Sequence, residues 1–230
     1  AAGSYADNYQ NGDTAITVAS GATFTALSND TIGSSGTSSL TINSGGTLSL
    51  ADGTINTLTI NSATPGNVLT LAGASGTATL TMEVGATSDE IVLGSGLGAS
   101  VGAGGVIVNI AGLGGLTGTQ QTLISDPTSG LSLTSFTLGT LTGNLNGYNL
   151  SLAISGNDLV LNETLAAAGN AFYTGTGGGA WTTTTNFNDA FTGGTALSAP
   201  IGGSVTNVFI AADTAAPTTM ILGQNVSINS

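Results

Sequence analysis

Short segments in which apolar and polar residues alternate run through most of the chain, and small residues separate them. In "LTINSGGTLSL" (40–50), Leu40 and Ile42 fall on one face of an extended strand, while Thr41 and Asn43 fall on the other. The Ser-Gly-Gly that follows predicts a corner, because glycine adopts positive φ at little cost. Helical periodicity is convincing nowhere, so the pattern predicts an all-β protein.

The alternating unit recurs along the chain. "ITVASGATFTA" (16–26) aligns without gaps on residues 40–50 at an offset of 24, and "LTINSATPGNVLTL" (58–71) repeats the unit at an offset of 18. Two short strands and a corner per 18 to 24 residues are typical of one coil of a β-solenoid, which buries its apolar face only against neighbouring coils. We therefore predict β-solenoid or β-helix-like coils over residues 1–165, with a β-sandwich as the alternative fold.

The character of the chain changes after residue 165. Before it, the Ser-Gly-Asn-Asp of "LSLAISGNDLVLNE" (150–163) indicates a β-hairpin. Residues 166–230 hold the only tryptophan, and we predict that they form a smaller β module with an aromatic core. The aromatic residues that suggest this core are Trp181, Phe172, Tyr173, Phe187 and Phe191.

The charge of the chain is wholly negative. The 230 residues include no Lys, Arg, His or Cys, and 12 Asp and Glu residues give a formal charge of −12. Without cationic side chains, binding to nucleic acid or to anionic lipid through basic contacts is excluded. The hydrophobic fraction of 40% separates the chain from acidic disordered sequences, and no run of about 18 apolar residues predicts a membrane-spanning helix.

Catalytic chemistry would have to use carboxylates alone, because His, Lys and Cys are absent. Asp89 and Glu90 are adjacent in a predicted strand and therefore point to opposite faces. The odd spacing between Asp158 and Glu163 separates those two side chains in the same way. We predict that the protein is not an enzyme and that it has no catalytic or cofactor-binding residues.

Calcium is the one metal ion that the composition favours, because Ca²⁺ binds oxygen ligands and the chain is acidic. The weak candidates are Asp52, Asp126 and Asp158, each of which stands alone in turn-like sequence. Such Asp side chains also accept hydrogen bonds from their own turns. We therefore expect no cofactor, with Ca²⁺ as the alternative.

Threonine at alternating positions raises the hypothesis of an ice-binding face. Ordered rows of Thr on one face of a solenoid would order water. The spacing of the residues drifts along the sequence, however, and Thr is also a common strand residue with a polar outer side. The sequence favours this ordinary role for Thr23, Thr41, Thr47, Thr59 and Thr70.

Three stretches resemble bacterial proteins with autotransporter-associated β-strand repeats, which are long, secreted chains rich in Gly, Thr and Ser. The stretches are "LTINSGGTLSLADG" (40–53), "DEIVLGSGLGASVGAGGVIVNIAGLGGLTGTQQTLIS" (89–125) and "WTTTTNFND … TNVFIAAD … TMILGQNVSINS" (181–230). The resemblance implies a β-solenoid surface fibre that is extracellular or attached to the cell surface.

The last five residues match the first half of the unit that residues 40–50 complete. They are Val226, Ser227, Ile228, Asn229 and Ser230. Because an uncapped solenoid end exposes unpaired backbone groups, we expect the next repeat or subunit to complete this segment, giving head-to-tail assembly of the protein with itself.

The expected function is therefore that of a structural extracellular protein that forms a surface fibre, filament or sheath by strand addition. The alternatives are an adhesin passenger that binds glycan or a neighbouring cell, and a surface-array (S-layer) protein.

Overall fold

The computed structural model describes residues 3–4, 13–33, 36–73, 76–145, 148–165, 170–173, 186–188, 190, 195–197 and 207–209. The chain divides into two compact units, the first comprising Ala1–Leu145 with Leu150–Glu163 and the second Asn146–Asn149 with Thr164–Ser230. Among the described residues, the regular structure is all β apart from a 3-10 turn at Leu133–Ser135 and a 3-10 conformation at Asn186.

Four consecutive coils build the first unit, and each coil passes through three parallel sheets in the order C, A, B. Sheet C contains β2 (Thr14–Val18), β5 (Ser38–Ile42), β8 (Gly66–Leu71) and β11 (Leu97–Val101). Sheet A contains β1 (Gly3–Ser4), β3 (Thr23–Thr25), β6 (Thr47–Ser49), β9 (Ala78–Val84), β12 (Val106–Leu113) and β14 (Phe136–Asn144). Sheet B contains β4 (Asp30–Ile32), β7 (Thr57–Ile60), β10 (Glu90–Leu93), β13 (Gln121–Ser125), β15 (Tyr148–Ser155) and β16 (Asp158–Leu165). The predicted β-solenoid is therefore confirmed, and the sandwich alternative is wrong for these coils.

The core consists of apolar side chains stacked from one coil to the next. In sheet A, Leu48 pairs with Phe24 below it and with Leu80 above it, and Leu80 pairs with Val108. All four side chains are buried. Because burying one Leu or Val side chain contributes roughly 1.5–3 kcal/mol, each coil is stabilised mainly by the coils on either side of it.

One of the two sequence offsets gives the true spacing between coils. Ile16 pairs with Leu40, which confirms the offset of 24. The offset of 18 is wrong, because Leu40 lies in sheet C and pairs with Leu69, whereas Leu58 lies in sheet B and pairs with Ile91. A coil thus has three strands rather than two. The same letters recur on different faces because every strand followed by a corner has the same local requirements.

The corners between sheets C and A are narrow and rich in glycine. They comprise residues 19–22, 43–46, 72–73 with 76–77, and 102–105, and are called the C–A corners below. An ideal Cβ on Gly102 would lie 1.7 Å from the carbonyl oxygen of Gly73 in the coil below. Only glycine allows the backbones of the two coils to approach this closely.

The last strands of the first unit change the pattern of pairing. β14 adds to sheet A in parallel with β12, whereas β16 pairs antiparallel with β13. β15 lies beyond β16, and a two-residue turn with Gly156 at φ 64° joins them. This is the hairpin predicted from Ser-Gly-Asn-Asp.

The second unit contains a small three-stranded sheet of β17 (Asn170–Tyr173), β18 (Phe187–Asn188) and β19 (Asn207–Phe209). Tyr173 and Phe187 are buried with their ring centroids 5.4 Å apart, and Phe172 stacks on Phe209 at 4.5 Å. These contacts agree with the predicted aromatic core. Trp181 and Phe191 lie outside the described residues.

Candidate functional site

The acidic residues of the first unit are concentrated around sheet B. Seven of the nine described Asp and Glu residues lie in sheet B strands or in the corners that flank them; Glu83 lies in β9, and Asp13 directly precedes β2 of sheet C. Several of their carboxylates accept hydrogen bonds from backbone N–H groups of an adjacent coil. Asp13, for example, accepts from the N–H of Thr37 at 2.7 Å. Since an unpaired buried N–H costs about 1–3 kcal/mol, these carboxylates complete the backbone pairing where the strands end.

Two buried carboxylates join the second and third coils at the corner between sheets A and B. The Asp89 side chain accepts from the N–H of Asn56 and from the N–H of Glu83, both at 2.7 Å. The Glu83 carboxylate accepts from the N–H of Asp52 at 3.0 Å and from that of Gly53 at 2.8 and 2.9 Å. Besides the backbone hydrogen bonds between the two coils, the corner of one coil is therefore fixed to the next by carboxylates that accept from its N–H groups.

Burial raises the pKa of Asp89 to about 7. The N–H groups of Asn56 and Glu83 act in the opposite direction by favouring the carboxylate, while the negative charges of Glu83 and Asp52 add to the rise. Burial also raises the pKa of Glu90 in β10, and the nearby charge of Asp158 adds to it. With no cationic side chain in the sequence, only dipoles stabilise these charges.

The three calcium candidates use oxygens for hydrogen bonds within the protein. Asp52 accepts from the N–H and the hydroxyl of Thr54 at 2.9 and 2.7 Å, and the Thr54 hydroxyl lowers its pKa. Asp126 accepts from Thr128 and from the N–H of Ala99, and its own N–H donates to Asp158 at 2.8 Å.

The structure therefore brings Asp126 and Asp158 together and leaves Asp52 at a different corner, beside Glu83. Within the described ranges, no group of three or more Asp or Glu side chains could hold a metal ion.

A polar cleft of about 320 Å³ opens beside sheet B. Its lining includes Ser88, Glu90, Gln120 and Thr122, so hydroxyl, amide and carboxyl groups face the same space. Glu90 stands beside it as the first residue of β10, whereas Asp89 is fully buried in the corner before β10 and is not part of the predicted strand. The cleft offers hydrogen-bonding groups suited to a ligand that carries hydroxyl groups.

The outer edge of sheet A is a feature that sequence reasoning missed. β14 is nine residues long, and no described strand lies beyond it in sheet A. Its sequence "FTLGTLTGN" contains no charged residue and no proline, the residues with which proteins commonly protect an exposed edge. The uncharged, proline-free composition of β14 is visible in the sequence. Its position at the end of sheet A is not, because that position depends on how the coils align with one another.

The predicted assembly segment Val226–Ser230 lies outside the described residues. Comparison with protein-family models, with curated proteins and with solved structures finds no match. The resemblance to autotransporter-associated β-strand repeats therefore stays an expectation. No helix in the described part of the chain has the length and hydropathy needed to cross a membrane.

Proposed function

We propose that this is a structural protein that assembles head-to-tail by β-strand addition into an extracellular fibre, filament or sheath. The observation that carries the proposal is the outer edge of β14, the longest of the described strands. A strand at a sheet edge presents a row of N–H and C=O groups that pair with an added strand. Each such hydrogen bond contributes about 1 kcal/mol net.

The side chains of β14 favour continuation of the stack. Leu138 pairs with the buried Val108, and Leu141 pairs with the buried Ile110, so both leucines extend rows of the core. Leu141 is nevertheless 41% exposed. A further coil from another copy of the protein would cover it, just as β12 covers the side chains of β9. In this proposal, Val226–Ser230 remains a candidate for the added strand.

The composition suits an extracellular structure. The sequence offers no Lys or Arg to proteases that cleave after basic residues, and no side-chain ion pair that salt could screen. Localisation outside the cell or on its surface is part of the proposal and follows the resemblance described above.

The test compares two leucines of nearly equal exposure in sheet A. Leu141→Lys places a charge on the edge strand, and Leu113→Lys places the same charge on β12, which is not at the edge; the leucines are 41% and 42% exposed. We expect filaments in negative-stain micrographs of the unchanged protein and of Leu113→Lys, and short particles for Leu141→Lys. Unchanged filament length in Leu141→Lys would show that β14 is not the joint.

The polar cleft beside Glu90 supports a second candidate, an adhesin that binds glycan. The same micrographs separate the two functions, since separate rods that bind a glycan array would favour the adhesin. A sheet-like lattice that forms only with added Ca²⁺ would instead favour the surface-array alternative.

A further inference from the structure

The outer face of sheet A carries two columns of aligned side chains, most of which are small and carry a hydroxyl group. In the first column, Thr23 pairs with Thr47 and Thr47 pairs with Thr79; Ile107 and Thr137 continue it. The second column consists of Thr25, Ser49, Thr81 and Asn109. Strands β3, β6 and β9 therefore share a Thr-x-Thr/Ser pattern, and their Thr and Ser residues pair directly from one strand to the next.

These columns are hidden in the sequence because the coils differ in length. The extra residues lie in the corners, as between Ser49 and Thr57, so the strands themselves remain in one-to-one register. Thr41 and Thr59, by contrast, belong to the outer faces of sheets C and B. The spacing of the Thr residues drifts along the sequence because these residues belong to three different faces. Within sheet A alone, the Thr residues are in register.

The geometry of parallel strands makes this a regular lattice of hydroxyl groups. Neighbouring strands lie ~4.7–4.9 Å apart, and residues i and i+2 of one strand lie ~6.6 Å apart on the same face. Thr side chains are restricted at χ1, so their hydroxyl and methyl groups hold fixed positions. The structure gives the hydroxyls of Thr23, Thr47, Thr79 and Thr81 no hydrogen-bond partner among the described residues, which leaves them for water.

The chemistry of the face excludes several other ligands. It presents no charge, because Glu83, the one acid in its strands, turns its carboxylate into the neighbouring corner. A cation or a nucleic acid would therefore find no partner there. Sugar rings commonly stack on aromatic side chains, but the aromatic residues of these strands, Phe24 and Phe136, are buried.

We infer that the outer face of sheet A binds ice, with its two columns ordering water in a lattice that merges with the crystal surface. Water bridges between hydroxyl groups are nearly as favourable in enthalpy as direct hydrogen bonds. The methyl groups and the 38% exposed Ile107 contribute apolar area between the hydroxyls. The inference does not depend on filament formation.

The experiment measures uptake of the full chain into slowly growing ice, together with thermal hysteresis. Thr79→Lys breaks the centre of the first column, and Thr79→Tyr breaks it with a bulky side chain that favours strands and adds no charge. The matched control is Thr41→Lys, which adds the same charge at a half-buried outward position of sheet C. Circular dichroism checks that each variant keeps its strands.

We expect the unchanged protein and Thr41→Lys to enter the ice, and both Thr79 variants to be excluded from it. Exclusion of the unchanged protein from ice would overturn the inference, as would equal losses in Thr41→Lys and the Thr79 variants. Light scattering that shows two copies paired through sheet A, released by Thr79→Lys, would also overturn it by assigning the face to a second copy.

Discussion

The outer face of sheet A and the region around sheet B belong to the same coils, yet they are chemically opposite. Sheet A presents Thr, Ser and Ile without charge, and the C–A corners that lead into it consist of small residues such as Gly45 and Gly102. Sheet B and its flanking corners hold seven of the nine described acids. The acids thus lie mainly in and next to sheet B.

The comparison shows how a chain without basic residues accommodates its acids. Where strands are in register, the backbone ladder pairs its own N–H groups and needs no side chain. Where a corner lengthens, as at residues 50–56, the ladder is interrupted, and Glu83 and Asp89 from the next coil accept the N–H groups left over. Carboxylates are therefore part of the stacking of coils.

The largest expected effect concerns the C–A corners, where the backbones of neighbouring coils approach closely. Gly102→Ala would place a Cβ 1.7 Å from the carbonyl oxygen of Gly73, so the two coils would have to separate. We expect a loss of about 3 kcal/mol or more in the free energy of unfolding, because overpacking against backbone cannot be relieved by a rotamer change. Urea denaturation followed by circular dichroism measures it.

Gly96→Ala is the matched control, at a corner next to sheet B. Gly96 has φ 74° and no atom within 4 Å of an ideal Cβ, so alanine meets only backbone strain of roughly 1–2 kcal/mol. A loss in Gly102→Ala no greater than that in Gly96→Ala would mean that the C–A corners are not closely stacked.

The next largest effect concerns the buried acid Asp89 beside sheet B and depends on pH. The pKa of Asp89 is about 7 in the folded protein, against an ordinary value of 3.8. Because the folded state binds this proton more tightly than the unfolded state, the stability it contributes is fully present below about pH 4 and is lost as the pH rises towards 7. The side chain introduced by Asp89→Asn cannot ionise, so this part of the pH dependence should disappear in the variant. Urea denaturation at pH 4, 5, 6 and 7 measures the stability of both proteins.

Asp13→Asn provides the control for this prediction. Asp13 also accepts an N–H from the next coil, that of Thr37, but it is exposed. The pH dependence that arises from Asp89 should remain in this variant, because Asp89 is unchanged. If Asp89→Asn keeps the full slope while Asp13→Asn reduces it, burial of Asp89 is not the origin of the pH dependence.

The sequence predicts the strands and the fold class well, because alternation is a local property. Leu40 and Ile42 are buried as their pattern requires, and the ungapped offset of 24 gives the true pairing of Ile16 with Leu40. The sheet to which Leu58 belongs could not be predicted, since the direction of a corner depends on its backbone conformation and not on the strand before it.

The same reason limits prediction of the sites. Asp89 and Glu90 are separated as expected, although Asp89 lies before β10 rather than in it, and the partner of Asp89 at Asn56 is 33 residues away. The Thr columns of sheet A likewise appear only after coils of unequal length have been aligned. Contacts between coils require the register of every corner in between, and the sequence of one chain does not specify that register locally.

The smallest expected effect concerns salt and arises from the acidic region alone. With no Lys, Arg or His, every interaction between charged side chains is repulsive, including that between Glu90 and Asp158. Screening should therefore raise the melting temperature slightly as NaCl increases, by less than about 1 kcal/mol in stability. Asp158→Asn keeps an oxygen that can accept the N–H of Asp126 but removes one charge, so its melting temperature should respond less to NaCl. A melting temperature that falls with NaCl would contradict this account, because it would require an attractive charge pair that the sequence cannot supply.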